Sequence, residues 1–447
     1  MRKQPKQSHQ DSKLFWFPMN HRRRILQGLV PAMGILALQG CNEPCPPYRP
    51  NCADGAASPM QSAPAAFESA PSKRSAVQEI PEGISWTTST ESLQKFLGTD
   101  SFKIALATGK RLYLLLPDPD KSKTPRSIRM DFGDEGPNGY PGRPNEPLFS
   151  PDGRWLAYIG IFSKGRTDSY VREAVAGLGW RIPLTRDQSG SLPTTAHPHW
   201  STNGKETWIY AVDVPLETSW NQSTKSVNGF TWRTRFLDSA IGPWEVAAID
   251  GKSVPGAFKG GVSRDQKWVV TSYLQTVLWE ASSGNASLLN GGDQQCNPSI
   301  NPFASGSNTD FFMILGFGGS KPVPTVTGSV LEGQHEHLWI WSKEDKAVWG
   351  AALPNVAPHP SDEVPGLSYY EWQRPEWSTH PDFATAFAKR TGTDDGVGYD
   401  LFIVKLGQSG GELANHDRTT LLERGPVLRV ATGSIISSDW SHLWVKP

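Results

Sequence analysis

The sequence lacks an excess of charge of either sign. Its 447 residues contain 44 Lys and Arg against 44 Asp and Glu, so the formal net charge is zero. Proteins that bind nucleic acid need basic patches for the phosphate backbone, and no long Lys/Arg run occurs outside the N-terminal region. The charge balance therefore argues against a nucleic-acid partner.

Cysteine is also scarce, with four residues in the whole chain. This number cannot form a dense disulfide framework, so a hydrophobic core must stabilise the fold. Cys45 and Cys52 lie close together, where a bridge would brace nothing large, and Cys296 is then left unpaired. We expect Cys296 to be a buried thiol, since no His or Asp partner that would make it a nucleophile can be assigned.

The N-terminal region carries a targeting signal. Residues 21 to 41 read HRRRILQGLVPAMGILALQGC, a cationic start followed by an apolar stretch and a small residue before Cys41. This order is typical of a secretory signal, and the apolar stretch is shorter than the roughly 20 residues that a spanning helix needs. The final LQGC resembles a lipobox, which implies a signal peptide over residues 1–40 and a lipid on Cys41. The run RRRIL also resembles a twin-arginine signal.

Two further expectations follow from this signal. A lipid on Cys41 places the protein in the bacterial cell envelope, most simply at the outer membrane, with the membrane itself as one partner. Residues 41–80 are rich in Pro, Ala and Ser with few large apolar side chains, a composition that predicts a flexible tether. The globular domain is then expected over residues 81–447, and translation starts at Met1 or Met19.

Turn-forming and aromatic residues are abundant, with 43 Gly, 37 Pro and 18 Trp. From about residue 81, short runs rich in aromatic and β-branched residues alternate with Gly, Pro, Asp and Asn, and few stretches show a helical period. The composition and pattern predict a domain that is nearly all β.

A turn phrase recurs along this domain. Its clearest copy, PLFSPDGRWLAY, begins at Pro147, and a close copy, PHWSTNGKETWIY, begins at Pro198. More degenerate copies follow, and all six align on Ser150, Ser201, Ser263, Asn301, Ser378 and Ser441. In each, an apolar strand ends, a turn follows, and a second apolar strand returns. The intervals are unequal, which propeller blades tolerate better than a solenoid does.

The phrase resembles the repeat of the TolB-like family of six-bladed β-propellers, in which an aromatic or apolar residue precedes Ser-Pro-Asp-Gly and a strand. The resemblance covers about residues 100 to 447 and implies an all-β, six-bladed propeller, with seven blades as the alternative. The apolar strand at Leu443, close to the C-terminus, predicts that the N- and C-terminal strands close the ring in one shared blade. TolB carries a separate N-terminal domain that residues 42–100 cannot supply, so the partners of TolB are not implied.

Two motifs suggest chemistry. Residues 407–411 match Gly-x-Ser-x-Gly, the nucleophile elbow of α/β-hydrolases, but a polar stretch follows instead of an apolar helix, which favours a glycine-rich turn. Two His-x-His pairs occur, His197 with His199 and His335 with His337. In a strand each pair shares one face, as metal ligation requires. The second pair is loosely similar to the ligand cluster of oligogalacturonate lyase, a metal-dependent propeller enzyme, and solvated histidines are the alternative.

The TolB-like arrangement also implies a ligand face, because the loops that enter the inner strands lie around one end of the central channel. The residues expected there are Asn145, His197, His199, Gln295, Cys296, Tyr370, Trp372 and Arg374. The long entry loop from Pro354 to Gln373 is the strongest candidate, since aromatic side chains beside Arg and Glu suit sugar stacking or a protein hot spot. The alternative is that Trp372 and Trp377 pack between blades.

No complete catalytic set emerges. The sequence favours a monomeric, lipid-anchored propeller that binds an envelope protein or a glycan without catalysis and without a cofactor. Two alternatives stay open. One is a divalent-metal-dependent polysaccharide lyase or hydrolase that uses His335 and His337 with His197 or His199, and the other is a structural scaffold of the envelope.

Overall fold

The computed structural model divides into two compact units, Met1–Gly40 and Cys41–Pro447. All residues described below belong to the second unit. They are residues 77–78, 81–108, 111–130, 143–161, 167–175, 179–182, 195–202, 205–213, 220–221, 226–227, 231–237, 240–256, 260–272, 276–289, 295–300, 311–317, 323–324, 330–331, 334–342, 346–352, 369–393, 397–406, 425–436 and 439–446. The signal segment and the predicted lipidation site at Cys41 lie outside these ranges.

This part of the chain is almost entirely β-structure. Its one helix is α1 (Thr90–Leu97), which begins after the N-cap Ser89 and ends at Gly98 with φ of 71°. The strands are β1 (Val77–Gln78), β2 (Ile84–Trp86), β3 (Phe102–Ala107), β4 (Leu112–Leu116), β5 (Arg126–Arg129), β6 (Arg143–Phe149), β7 (Trp155–Ile161), β8 (Thr167–Glu173), β9 (Gly179–Ile182), β10 (Thr195–Thr202), β11 (Thr207–Asp213), β12 (Trp220–Asn221), β13 (Ser226–Val227), β14 (Thr231–Leu237), β15 (Ala240–Ile241), β16 (Glu245–Val246), β17 (Ala248–Ile249), β18 (Lys252–Ser253), β19 (Gly261–Val262), β20 (Trp268–Ser272), β21 (Thr276–Glu280), β22 (Ala286–Leu288), β23 (Gln295–Ile300), β24 (Phe311–Phe317), β25 (Val323–Pro324), β26 (Val330–Leu331), β27 (Gln334–Ser342), β28 (Lys346–Ala352), β29 (Tyr369–Trp377), β30 (Phe383–Arg390), β31 (Val397–Lys405), β32 (Val427–Ile436) and β33 (Trp440–Val445). Among the described residues, no helix is long and apolar enough to cross a membrane.

Among the described residues, 27 of these strands form six antiparallel sheets of four or five strands, the six blades of a propeller, and the other six form the two-stranded sheets β12-β13, β17-β18 and β25-β26. From the inner strand outwards, blade 1 is β33-β3-β4-β5-β1, blade 2 is β6-β7-β8-β9, and blade 3 is β10-β11-β14-β15 with β16 also paired to β14. Blade 4 is β19-β20-β21-β22, blade 5 is β23-β24-β27-β28, and blade 6 is β29-β30-β31-β32-β2. The prediction of an all-β propeller with six blades is therefore confirmed.

The core lies between the blades. Each blade is a single sheet, so its faces can be buried only against the neighbouring blades. Six clusters of buried apolar side chains each join two neighbouring blades, and together they run once around the ring. Representative pairs are Leu114 with Leu156, Val171 with Ile209, Tyr210 with Val269, Val270 with Ile314, Leu315 with Trp372, and Leu106 with Leu401.

The two chain ends close the ring, as the sequence predicts. The C-terminal strand β33 pairs with β3 from Phe102 opposite Val445 to Ala107 opposite Trp440. The N-terminal segment adds a second connection, because β1 extends blade 1 by pairing with β5 and β2 extends blade 6 by pairing with β32. The predicted tether over residues 41–80 therefore already contains a paired strand at its end, β1.

The recurring turn phrase forms the hairpin between the inner strand and the second strand of a blade. The Ser150 hydroxyl accepts a hydrogen bond from Trp155 N at 2.9 Å and donates one to Asp152 Oδ1 at 2.6 Å. Gly153 has φ of 67°, and a Cβ there would lie 2.4 Å from the Trp444 ring. These local bonds explain why serine, aspartate and glycine recur at this turn.

The same turn recurs at Ser263, whose hydroxyl accepts from Trp268 N at 3.1 Å, and at Ser378, whose N–H donates to Phe383 O at 3.0 Å. The sixth copy differs from the sequence alignment. In the closing blade it is Lys446 N that donates to Ser101 O, at 3.1 Å, whereas Ser441 lies within β33 opposite Leu106. Lys446 therefore takes the place that Ser150 has in blade 2.

Candidate functional site

Four inner strands share an irregularity within the strand, a few residues before the turn. Their pairing with the second strand shifts between Asn145 and Leu148, Ala196 and His199, Cys296 and Ser299, and Gln373 and Glu376. Each shift contains a residue followed by proline: Glu146-Pro147, His197-Pro198, Asn297-Pro298 and Arg374-Pro375. Because proline has no N–H for the ladder, it is placed in a bulge. We call the part of the central channel beside these bulges the channel mouth, and the end of the ring where the inner strands turn into the second strands the turn end.

The bulges hold unusual backbone conformations. Glu146, Asn297 and Arg374 have φ of 49°, 48° and 49°, a region that side chains other than glycine seldom adopt. All three side chains are buried, with exposed fractions of 5%, 4% and 2%. Strained backbone of this kind clusters at functional sites, where the surrounding structure holds it in place.

A small cavity of about 30 Å³ lies at the channel mouth, room for one or two water molecules. It is lined by residues from the inner strands of several blades: Glu146, Leu148, Pro198, His199, Gly260, Pro298, Glu376 and Trp440. A Cβ at Gly260 would lie 1.9 Å from Val270 O, so the chain packs too closely there for any side chain. The cavity thus presents two carboxyl groups, an imidazole and an indole around one axis.

Glu376 is the most perturbed acid of this cavity. Its Oε1 accepts a hydrogen bond from Ser299 Oγ at 2.5 Å, and its Oε2 accepts one from Trp440 Nε1 at 3.3 Å. Desolvation deep in the protein, with a smaller contribution from the charge of Glu146, raises the pKa of Glu376 to about 8. Glu376 therefore carries a proton for most of the time at neutral pH.

A cation and an amide adjoin the carboxyl groups. The guanidinium of Arg374 lies 5.0 Å from the centre of the Trp440 ring, a cation–π contact. Arg374 Nη1 also donates to Asn297 Oδ1 at 3.5 Å, and Asn297 Nδ2 is buried without a protein partner. Residues of blades 5, 6 and 1 therefore form one connected network of polar contacts.

His442 connects three inner strands beside this cavity. Its Nδ1 accepts from Phe149 N at 3.0 Å, and its Nε2 lies 2.9 Å from Trp377 O, to which it donates. Burial lowers the pKa of His442 to about 3, so the ring is neutral and both nitrogens are used. The closing strand β33 is in this way bonded to blade 2 and to blade 6.

The structure brings several predicted ligand residues together. His199 lines the cavity and stacks on Tyr210 with ring centroids 5.4 Å apart, and Arg374 lies beside it. Asn145 is buried and its Oδ1 accepts from Glu146 N at 3.0 Å, so it supports the bulge. The strand positions of His197, Gln295, Cys296 and Tyr370 are described, but their side chains are not.

Trp372 differs from the expectation that it faces the channel. It is fully buried with Trp377 in the cluster between blades 5 and 6, and it packs edge-on against Phe402 at 5.8 Å. Residues 369–373, expected as part of an entry loop, already belong to strand β29, which is why Trp372 points into the sheet interface. The remainder of that loop, residues 354–368, lies outside the described residues.

The two histidine pairs lie in different blades. His197 and His199 belong to β10, the inner strand of blade 3, whereas His335 and His337 belong to β27, the third strand of blade 5. Blade 4 separates them, so the expected shared metal site is not assembled from these strands. His337 stacks on Trp339 at 5.0 Å, and burial lowers its pKa. In the part of the chain that the structure describes, no three His, Cys, Asp or Glu residues form a group that could hold a metal.

Glu146, Asn297, Ser299, Glu376, Trp440 and His442 were not expected from the sequence. A signal for some of them was present, since each clear copy of the repeat contains a proline that opens the phrase. The residues before and after that proline include Glu146, Asn297, Ser299 and Glu376, which lie at or beside the cavity. No such signal exists for Trp440 and His442, because the closing strand contains neither the proline nor the bulge.

Comparison with known proteins gives fold-level likeness only. No family model matches the chain. Dipeptidyl-peptidase 5 of Trichophyton schoenleinii and probable dipeptidyl-peptidase 5 of Arthroderma benhamiae are each 28% identical to it over 101 residues. The match covers 23% of this chain, and the chain spans only 14% of the length of these relatives.

Two solved structures illustrate the likeness of fold. A protein described as TolB from Agrobacterium tumefaciens is 10% identical, with a TM-score of 0.35 over 78% of this chain and 99% of that one. The periplasmic gluconolactonase PpgL of Pseudomonas aeruginosa is 12% identical, with a TM-score of 0.35 over 78% of this chain and all of that one, 100%. The propeller fold itself rests on the sheet topology described above.

Proposed function

We propose that this chain is a lipid-anchored protein of the cell envelope whose propeller binds a protein or a glycan at the channel mouth, without catalysis. The observation that carries the proposal is the set of proline bulges. Three of them hold their first residue in the left-handed backbone region and carry different side chains, Glu146, Asn297 and Arg374. A repeated backbone with varied polar side chains is suited to recognition.

The chemistry of the mouth supports a polar ligand. Glu146, His199 and Glu376 offer acceptors or donors around the cavity, and Trp440 offers an aromatic surface. Indole and guanidinium groups are frequent at the energetic centres of protein interfaces, and aromatic rings also stack on sugars. The cavity of about 30 Å³ is too small for a whole ligand, so we expect it to take one group of a larger molecule.

Binding can be tested with the full-length protein, kept in mild detergent to accommodate the expected lipid on Cys41. A glycan array and a pull-down of envelope proteins identify the ligand. The mouth variants Arg374→Gln and Asn297→Gly should then weaken it about tenfold or more. Glycine keeps the left-handed backbone of Asn297 accessible. The matched control is Lys267→Ala, because Lys267 is exposed at the turn end.

Two outcomes would reject the proposal. One is that neither screen finds a ligand. The other is that Arg374→Gln and Asn297→Gly bind a ligand as the wild type does. The anchor is tested separately, since Cys41→Ser should move the protein from the membrane fraction to the soluble fraction, and a variant that stays in the membrane fraction would contradict lipidation.

The alternative is a polysaccharide-degrading enzyme, and one observation favours it. The pKa of Glu376 is raised to about 8 beside a second carboxyl, Glu146, and perturbed acids are frequent in active sites. Metal analysis and a polysaccharide degradation assay separate the two functions. Stoichiometric metal that is lost in His337→Ala, or degradation that is lost in Glu376→Gln, would favour the enzyme.

Two further functions have less support. Peptidase activity is not carried over from the dipeptidyl-peptidase relatives, because the matched segment is a small share of their length. A structural scaffold of the envelope remains the third proposal, and it predicts that mouth variants leave every envelope interaction unchanged.

A further inference from the structure

Two carboxyl groups from different blades meet at the channel cavity. Glu146 lies on β6 of blade 2 and Glu376 on β29 of blade 6, and both line the same space of about 30 Å³. Blade 1 lies between these blades, and its inner strand contributes Trp440 to the same lining. The two acids therefore approach one point from two sides of the closing strand.

The surroundings of Glu376 contain few charges that could balance it. On its own strand is Arg374, on β6 is Glu146, and on β10 is His199. Beside β33, Asp439 Oδ2 accepts from Ile436 N at 2.9 Å, and His442 is neutral. Among the residues whose side chains the structure describes, those beside the cavity at β23 and just before β19 are uncharged, namely Pro298, Asn297, Ser299 and Gly260.

Arg374 is the nearby cation, and it is already placed on the face of the Trp440 ring. Its side chain is held by Asn297 Oδ1, so it lies beside the cavity and is not one of the groups that line it. A second positive group that entered the cavity would meet both carboxyl groups and the indole of Trp440. Opposite charge favours the ionised form of a carboxyl, so entry of such a group would favour loss of the proton from Glu376.

The size of the cavity selects the kind of cation. A space of about 30 Å³ holds one or two water-sized groups, which suits a primary ammonium and excludes a sugar ring or a whole side chain. A primary ammonium has three donors, and carboxylates accept such donors strongly.

We propose that the channel mouth recognises the primary ammonium group of its ligand, bound between Glu146 and Glu376. This inference rests on the proposed recognition function and specifies the chemistry of that same site. The ligand keeps its proton, and Glu376 releases its own proton to solvent when the ammonium binds. An amino sugar and a lysine side chain present the same group, and the experiment distinguishes these two sources.

The test uses matched pairs of probes on the full-length protein by isothermal titration calorimetry. One pair is glucosamine and N-acetylglucosamine, and the other is a capped Gly-Lys-Gly peptide and the same peptide with an acetylated lysine. Within at least one pair, the charged member should bind at least about tenfold more tightly. A preference within the first pair identifies a glycan source, and one within the second pair identifies a protein source.

The pH dependence of the lysine peptide gives a second measurement. Its ammonium stays charged to about pH 10, whereas Glu376 has a pKa near 8. The dissociation constant should therefore fall as pH rises from 6 to 8, by about tenfold or more. In buffers of different ionisation enthalpy, binding at pH 7 should release close to one proton.

Glu376→Gln should remove both the proton release and the pH dependence and weaken binding about tenfold or more. The control Glu280→Gln, an exposed acid at the end of β21, should behave as the wild type. Circular dichroism and the thermal midpoint establish that each variant is folded. Glu146→Gln provides the second variant, so that a folding defect in one acid leaves the test intact.

Three results would overturn the inference. They are equal binding of acetylated and charged probes, absence of binding by either charged probe, and unchanged binding in both glutamine variants. A glycan or protein ligand that depends on Arg374 and Asn297 but not on Glu376 would reject ammonium recognition and leave the recognition function standing. Mouth variants without any effect on that ligand would reject both.

Discussion

The inner strands of the propeller differ in what they repeat at the turn end and at the channel mouth. At the turn end, Ser150 and Ser263 make the same two hydrogen bonds, to the start of the next strand and to an aspartate two residues on. At the channel mouth, Glu146, Asn297 and Arg374 share a backbone conformation but no chemistry. One end repeats its side chains and the other repeats only its backbone. The repeated bonds of the turn end therefore maintain the fold, and the varied side chains of the mouth support the proposed recognition function.

The largest loss of stability is expected for a substitution that breaks the connection between blades at the closing strand. His442→Ala leaves Phe149 N and Trp377 O without a partner and opens a cavity in a fully packed region. We expect the free energy of unfolding to fall by about 3–5 kcal/mol, measured by urea unfolding at pH 7. His337→Ala is the control, since His337 lies in a third strand, and an equal loss in both variants would contradict the role of His442.

A smaller effect is expected at the turn end. Ser150→Ala removes the acceptor of the Trp155 N–H and the donor to Asp152, so the free energy of unfolding should fall by about 1–2 kcal/mol. Ligand binding should be unchanged, because Ser150 and its two partners are not among the residues that line the cavity. Asn297→Gly should show the opposite result, with nearly unchanged stability and reduced binding. If Ser150→Ala abolished binding while folded, the division between the two ends would be wrong.

The last expected effect concerns the pH dependence of stability. Glu376 keeps its proton in the folded protein up to about pH 8, whereas the ordinary value of 4.5 applies after unfolding. The folded state then binds more protons between these values, so this group's contribution to stability is lost as pH rises from 4.5 to 8. His442 acts in the opposite sense, because its pKa falls from 6.5 to about 3 in the folded state and stability is lost as pH falls below 6.5.

Urea unfolding between pH 5 and pH 8 checks this prediction. Glu376→Gln should flatten the decline of stability towards pH 8 and should be more stable than the wild type at that pH. The same variant should lose stability more steeply as pH falls from 6.5 to 5, because the opposing contribution of Glu376 is then absent and that of His442 remains. A variant with the slope of the wild type above pH 6 would show that Glu376 ionises at an ordinary pKa.

The turn end was predictable from the sequence because its bonds are local. Ser150, Asp152 and Gly153 lie within four residues of one another, so one phrase contains the whole motif. The sixth copy was placed wrongly at Ser441 for a related reason. The hairpin of the closing blade has the two chain ends in place of a turn, so the signature residues are absent and the Trp-Ser pair at Trp440 misled the alignment.

The candidate site was only partly predictable. His199 and Arg374 were expected near the channel because the family resemblance placed them in the loops that enter the inner strands, whereas the structure places them within those strands. The meeting of Glu146 with Glu376 depends on closure of the whole ring, and no local pattern reports a contact between blades 2 and 6. Trp372 follows the alternative that the sequence left open, packing between blades, because the alternation of strand β29 turns it into the blade interface.

The paired N-terminal strands bear on how the ring would respond to mechanical force. Strand β1 lies on the outer edge of blade 1 and β2 on the outer edge of blade 6, while β33 joins the ring from inside. A pull on the chain upstream of Val77 would therefore reach β1 first and β2 next, before it reached the hairpin of β3 with β33 that closes the ring. We expect force applied from the N-terminal side to detach the two short edge strands β1 and β2 first, while the inner strands and the channel mouth stay assembled.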